Sequence, residues 1–161
     1  MLENIQDAGN LGSILRSTAA AGMATVLLSP GCAFPWSPKV LRAGMGAHFA
    51  VNIVEGADAR DFLAHYRGAT VALAGDARAS LYDLDLRPPT AFFVGNEGSG
   101  LSEHIRRAAS VRARIPMPGR VESLNAGTAG SICLFEAVRQ RSGARHRGRE
   151  APAASNGRGT R

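Results

Sequence analysis

The chain is poor in the residues that staple or metallate a small protein. Only two of its 161 residues are cysteine. Cys32 and Cys133 form neither a metal-ligand spacing nor a disulfide framework, so a reducing cytoplasm is the expected compartment. His48, His65, His104 and His146 show no ligand spacing either, and no metal is expected. No apolar run reaches the roughly 20 residues of a membrane-spanning helix. The start shows no basic-then-apolar pattern, so neither a membrane anchor nor an export signal is expected. Net positive charge is small outside the C-terminal end. The net charge is +6, and residues 142–161 hold five arginines and one glutamate, leaving about +2 for the rest. That segment reads either as a polyanion-binding tail or as a solvated, disordered end.

What is present is an ordinary hydrophobic fraction, 45%, enough for one domain with a core of its own. Leu11, Ile14, Leu15 and Thr18 fall at helical spacing behind Asn10, which reads as the cap. Ser37-Pro38 opens a helix to about Met45. Further helices are expected over Ala57 to Tyr66 and Ser102 to Ala108, and from Glu122 or Ser123 to Arg141. Short apolar runs predict strands at Thr25 to Leu28, Phe49 to Val54, Thr70 to Ala74, Ala91 to Val94 and Val111 to Ile115. This alternation predicts an α/β fold with a mostly parallel sheet and flanking helices. Residues 1–141 form the expected body. Phe34 and Trp36, on either side of Pro35, are expected in a core or an interface.

Three segments carry unusual chemistry. Gly95-Asn96-Glu97-Gly98-Ser99-Gly100 follows a strand and lets backbone approach a ligand closely. It lacks the Gly-Lys-Ser/Thr ending of a P-loop, and its glycines do not follow the dinucleotide order. A carboxylate there suits a cationic ligand or one with hydroxyl donors. Ile115-Pro116-Met117-Pro118-Gly119 has no acid, base or nucleophile. It is rigid and apolar with free carbonyls, suited to holding a flat heterocycle such as adenine and reading its edge. Ser123-Leu124-Asn125 opens the last helix, where Ser123 is either a cap or a site residue. Arg16 lies one helix face on from Asn10, as a solvated arginine or a functional one.

Together, Asn10-Leu11-Gly12-Ser13-Ile14-Leu15-Arg16, Phe92 to Ser102 and Ile115 to Asn125 resemble, in order, the three motifs of the SpoU (TrmH-like) RNA ribose 2'-O-methyltransferases of the SPOUT superfamily. The resemblance runs from about Glu3 to Arg141. It implies a trefoil-knotted domain, S-adenosyl-L-methionine as cofactor, structured ribosomal or transfer RNA as substrate, and a homodimer paired through surfaces such as Ile132 to Val138. It implies cofactor contact for Ala74, Gly75, Val94, Gly95, Asn96, Glu97, Gly98, Ile115, Pro116, Met117, Ser123 and Leu124. Arg16 matches the catalytic arginine, with Asn10, Glu97, Ser123 and Asn125 orienting it and the ribose. A guanidinium rarely gives up its proton, so the expected role of Arg16 is to hold a phosphate or the 2'-oxygen and stabilise developing negative charge.

The sequence departs from the family in two places. A hydrophobic strand usually precedes the first motif, and many relatives carry an RNA-binding domain before that. Here Met1-Leu2-Glu3 alone stands before Asn4, so a shortened first strand, or a start internal to a longer protein, is expected. Gly127 stands where relatives usually show a serine. These departures keep a second reading open, a non-catalytic RNA-binding module on the same knotted fold.

Overall fold

The computed structural model describes residues 1–121 and 123–147. The expected disorder of residues 148–161 lies outside them.

The described residues form six strands and five helices, and all but one two-residue strand fall where the apolar spacing predicts. They are α1 (Ala8–Ala20), β1 (Thr25–Leu27), α2 (Pro38–Gly44), β2 (Asn52–Val54), α3 (Ala59–His65), β3 (Ala69–Leu73), β4 (Ala79–Ser80), β5 (Thr90–Phe93), α4 (Glu103–Ala108), β6 (Val111–Arg114) and α5 (Ala126–Arg147). Every strand pair is parallel, in the orders β1-β2 and β4-β6-β3-β5. Leu2 bridges Leu28 on one side and Val94 on the other, both in parallel. Backbone bonds from Leu2 N to Leu27 O and from Glu3 N to Val94 O secure it. Met1–Glu3 thus acts as a short central strand that joins the two pairings into one sheet. It pairs at the C-terminal ends of β1 and β5. The Met1 amine donates to Phe92 O at 2.6 Å. Burial pulls its pKa down to about 5, partly offset by Cys32.

Helices cover both faces. Leu11, Ile14 and Leu15 of α1 pack with Val26, Leu28 and Val40. Cys133 and Ala137 of α5 pack on Val71 and Ala113. On the other face Ile105 of α4 and Phe62 of α3 close over Ala72 and Phe93.

The helix ends depart from expectation for local reasons. The first helix starts before Asn10, because the Asp7 carboxylate accepts the Asn10 N–H at 2.7 Å and serves as the cap. The last helix starts at Ala126, capped by Asn125, whose Oδ1 accepts from Thr128 N at 3.1 Å. It runs on through residues 142–147, which were expected to be unstructured. Ser102 stands at the start of α4, but its side chain makes no capping bond. Its N–H instead donates to Glu3 Oε2 at 2.7 Å. The expected strand from Phe49 is shorter, because Ala47–Phe49 forms a 3-10 turn before β2. Phe34 and Trp36 lie at the surface rather than in the core.

Candidate active site

In an open parallel sheet, ligands bind beyond the carboxyl ends of the strands. Here the ends of β3, β5 and β6 release three loops, and the loops enclose a cleft of about 270 Å³. Of the twelve residues expected to contact a cofactor, eleven line it: Ala74, Gly75, Val94, Gly95, Asn96, Glu97, Gly98, Ile115, Met117, Ser123 and Leu124. Pro116 alone does not, because its neighbours Ile115 and Met117 alternate inward. The cleft also takes in Leu73, Gly100, Ala113, Arg114, Ala126 and Ala129, which sequence reasoning missed. Arg114 was the most legible of these, one residue before the apolar segment.

The glycine loop is built tightly. Asn96 and Gly100 exchange backbone bonds at 3.1 and 2.9 Å. Asn96 Oδ1 accepts from Gly98 N and Ser99 N at 2.9 and 3.0 Å. A Cβ on Gly95 would stand 2.3 Å from Gly100 C and 2.4 Å from Leu101 N, so only glycine fits there.

At one lip of the cleft, residues from all three motifs join in a single chain of hydrogen bonds. Asn10 Nδ2 donates to Glu97 Oε1 at 2.9 Å. Asn125 Nδ2 donates to Asn10 Oδ1 at 2.6 Å. Asp7 N donates weakly to Glu97 Oε1, at 3.4 Å. Asn10 can play this double part because Asp7 does the capping. Burial pushes the Glu97 carboxyl up. The bonds from Asn10 and from the Glu97, Asp7 and Gln6 backbone outweigh it, and the net shift is downward. Glu97 therefore stays ionised at neutral pH. Ser123 lines the cleft, and Asn125 holds the helix cap, so the cap reading belongs to Asn125. Arg16 stands exposed on α1 and joins none of these bonds. It lies six residues from Asn10, about 9 Å along the helix axis.

These residues fit S-adenosylmethionine on chemical grounds. Val94, Ile115, Met117 and Leu124 offer apolar walls for a flat ring, and loop backbone offers polar edges. An ionised carboxylate suits hydroxyl donors or a cation. The volume lies near the lower end of small-ligand sites, about 300 Å³. Among the described residues no group of histidine, cysteine and carboxylate side chains could hold a metal ion.

Residues 1–135 match the family model described as the SpoU rRNA Methylase family. The chain belongs to this family. It is 40% identical over 144 residues to the 23S rRNA (guanosine-2'-O-)-methyltransferase RlmB of Xylella fastidiosa, covering 88% of this chain and 58% of that protein. Its structure resembles the AdoMet-bound rRNA methyltransferase from Sinorhizobium meliloti, with a TM-score of 0.80, 37% identity, and coverage of 86% and 54%. It also resembles the SpoU methyltransferase AviRb from Streptomyces viridochromogenes in complex with AdoMet, with a TM-score of 0.82, 30% identity, and coverage of 88% and 59%. The chain thus spans little more than half the length of these relatives.

Proposed function

We propose that this chain is the catalytic body of an S-adenosylmethionine-dependent RNA methyltransferase acting on a ribose 2'-hydroxyl, with ribosomal RNA as its substrate and the cytoplasm as its compartment. The observation that carries this reading is the hydrogen-bonded chain Asn125–Asn10–Glu97 at the lip of the cleft. It supports the catalytic reading over a non-catalytic RNA-binding module, for which the short first strand and Gly127 are the only arguments.

The cofactor supplies an electrophilic methyl group on a good leaving group, so positioning and desolvation carry much of the rate. Val94, Ile115, Met117 and Leu124 hold the adenine ring and exclude water from it. Glu97 is ionised and already oriented by Asn10, and it accepts hydrogen bonds from ligand hydroxyls. Ser123 and Asn125 face the acceptor ribose from the start of α5. Arg16 holds the flanking phosphate or the 2'-oxygen and stabilises negative charge as the hydroxyl loses its proton.

The test has two arms. Calorimetry with S-adenosylhomocysteine should show one site per chain. Labelled methyl groups should pass to ribosomal RNA and survive as 2'-O-methylnucleotides after digestion. Cofactor binding without transfer to any RNA would favour the non-catalytic module. Arg16→Ala should abolish transfer while leaving cofactor affinity nearly unchanged, and turnover within a few-fold of wild type would end its catalytic role.

We also propose a homodimer, because closed two-fold pairing is the commonest symmetry for a chain of this kind. The apolar run Ile132 to Val138 is largely spent inside the fold, with Cys133 and Ala137 buried. Phe135, 47% exposed, is the residue that α5 leaves for a second copy. Light scattering reporting a monomer at tens of micromolar, with activity intact, would remove this part of the proposal.

A further inference from the structure

At the edge of the sheet farthest from α1, arginines crowd one face, and among the described residues none of Arg78, Arg112 and Arg114 has an ion-pair partner. Ala113 points into the core, so Arg112 and Arg114, on either side of it in β6, share the opposite face and are exposed. The parallel register pairs Ala79 with Ala113 and Ser80 with Arg114. One residue earlier, at the entry to β4, Arg78 comes beside Arg112, and it too is exposed. Neighbouring strands lie about 4.8 Å apart, and alternate residues on one strand about 6.6 Å apart. The backbone positions that carry the three arginines therefore lie within one nucleotide's reach of each other. Among the described residues, Asp76 is a carboxylate that feels this face. It is bonded to Arg106 of α4, and it feels Arg112 at longer range. Glu103 is taken by Arg107.

Like charges directly opposite each other in a sheet destabilise it. Arg78 opposite Arg112, with Arg114 on the same exposed face of β6, does nothing for folding, and it does suit a polyanion. The location points the same way. Arg114 lines the cleft itself, so the face runs straight into the site. The end of β5, which carries Glu97, is two strands away from β6, about 10 Å. Guanidinium forks match phosphate oxygens in geometry as well as charge.

We propose that Arg78, Arg112 and Arg114 form a phosphate track that grips the RNA backbone on the β4 side of the cleft. This rests on the RNA-methyltransferase reading for its ligand and adds where that ligand runs. Binding comes from this body face, in addition to any contribution from the arginines of residues 142–161.

The test uses the full chain and the double variant Arg78→Gln/Arg112→Gln, leaving Arg114 in place because it lines the cleft. A fluorescent mixed-sequence RNA hairpin is titrated from 50 to 300 mM salt, and S-adenosylhomocysteine binding and melting are measured alongside. Each neutralised phosphate contributes about 0.7 to 0.9 to the log–log salt slope. The double variant should therefore lose up to about 1.4 to 1.8 of slope and bind RNA roughly tenfold more weakly at 0.1 M salt. Cofactor affinity should not change. In steady state, KM for RNA should rise with kcat held, and Arg78→Lys/Arg112→Lys should keep most of the slope. Melting should be unchanged or slightly higher, since repulsion is relieved.

An unchanged slope overturns the track. A marked fall in melting temperature assigns the arginines a structural role instead and overturns it as well. If inorganic phosphate at 10 mM displaces the hairpin, the face is a small-anion site and the RNA assignment is wrong. A wild-type protein that binds no S-adenosylhomocysteine would defeat the enzyme reading alone, because the slope comparison between wild type and variant still decides the track.

Discussion

Two of the molecule's cavities lie toward opposite ends of its parallel strands, and they differ in kind. Beyond the C-terminal ends of β3, β5 and β6 the cleft measures about 270 Å³, and Asn96, Glu97 and Ser123 converge on it. Between the N-terminal parts of β1 and β5 lies a larger space of about 480 Å³, walled by Leu2, Ile14, Val26, Phe92 and Leu134 among others. No carboxylate, amide or guanidinium side chain faces this second space. Volume alone would rank the two in the wrong order. The larger cavity records where packing is thin, and the smaller one records where polar groups have been brought together at some cost to packing.

Breaking the cleft should produce the largest effect. Gly95→Ala forces a methyl group to within 2.3 Å of Gly100 C. The loop must shift, and overpacking of this kind costs about 1–3 kcal/mol. The expected outcome is loss of S-adenosylhomocysteine binding in calorimetry, with a protein that still folds by circular dichroism. Binding within threefold of wild type would mean that the loop is not the cofactor wall.

Asn10→Ala should come next. It removes the donor that holds Glu97 and the acceptor that holds Asn125, while no wall of the cleft is lost. Misplacing reacting groups by an ångström lowers rate about a hundredfold, and single-turnover methyl transfer should fall by that order. Cofactor affinity should move by only a few-fold. Equal losses in affinity and rate would show instead that the chain of bonds supports the cleft as a whole.

These two sites differ in how much of them the sequence disclosed. Much of the cleft was legible, because most of its expected residues sit in short segments whose types are odd for plain strands and helices. What was hidden depended on exchanges between neighbours. Asn10 looked like a cap until Asp7 took the capping bond, and that exchange is what frees its amide for Glu97. Ser123 was the cap candidate until the start of α5 at Ala126 gave the cap to Asn125. Strand β4 has two residues and no periodicity, so nothing local marked it, and the alignment of Arg78 with Arg112 could not be read without it. The second cavity left no mark in the sequence.

The thin end of the sheet should reveal itself through pH. Between about pH 5 and 8 the unfolded chain holds a proton on the Met1 amine that the folded chain lacks. Stability from this group therefore rises with pH across that window and levels off outside it. The melting temperature should climb by a few degrees, and Nα-acetylation should flatten the climb, since the adjoining cavity leaves room for an acetyl group. The same slope in acetylated and free protein would assign it to another group.

The finest comparison uses two glycines of one helix, three residues apart, one at the large cavity and one beside Asn125. Gly130 borders the large apolar space. A methyl group there would lie 3.3 Å from Ile14 Cγ1, and Ile14 itself faces that space and has room to give. Replacing a mid-helix glycine by alanine gains about 1 kcal/mol of helix propensity. The buried methyl group adds a favourable transfer term of about 0.8 kcal/mol. Gly130→Ala should therefore stabilise the protein by roughly 0.5–1 kcal/mol once the tight contact is deducted, and activity should not change. Gly127 stands in the first turn, where the propensity gain is smaller. A methyl group there would meet Asn125 Oδ1 at 3.1 Å and Ser13 Oγ at 3.3 Å. Asn125 is committed to both Asn10 and the helix cap, so it cannot yield without loosening one of them. Gly127→Ala should leave stability within about 0.5 kcal/mol yet slow methyl transfer several-fold. Denaturant melts and single-turnover rates on the two variants decide the matter. If Gly130→Ala slows transfer as much as Gly127→Ala does, the two ends of the sheet are coupled and cannot be assigned to packing and chemistry separately.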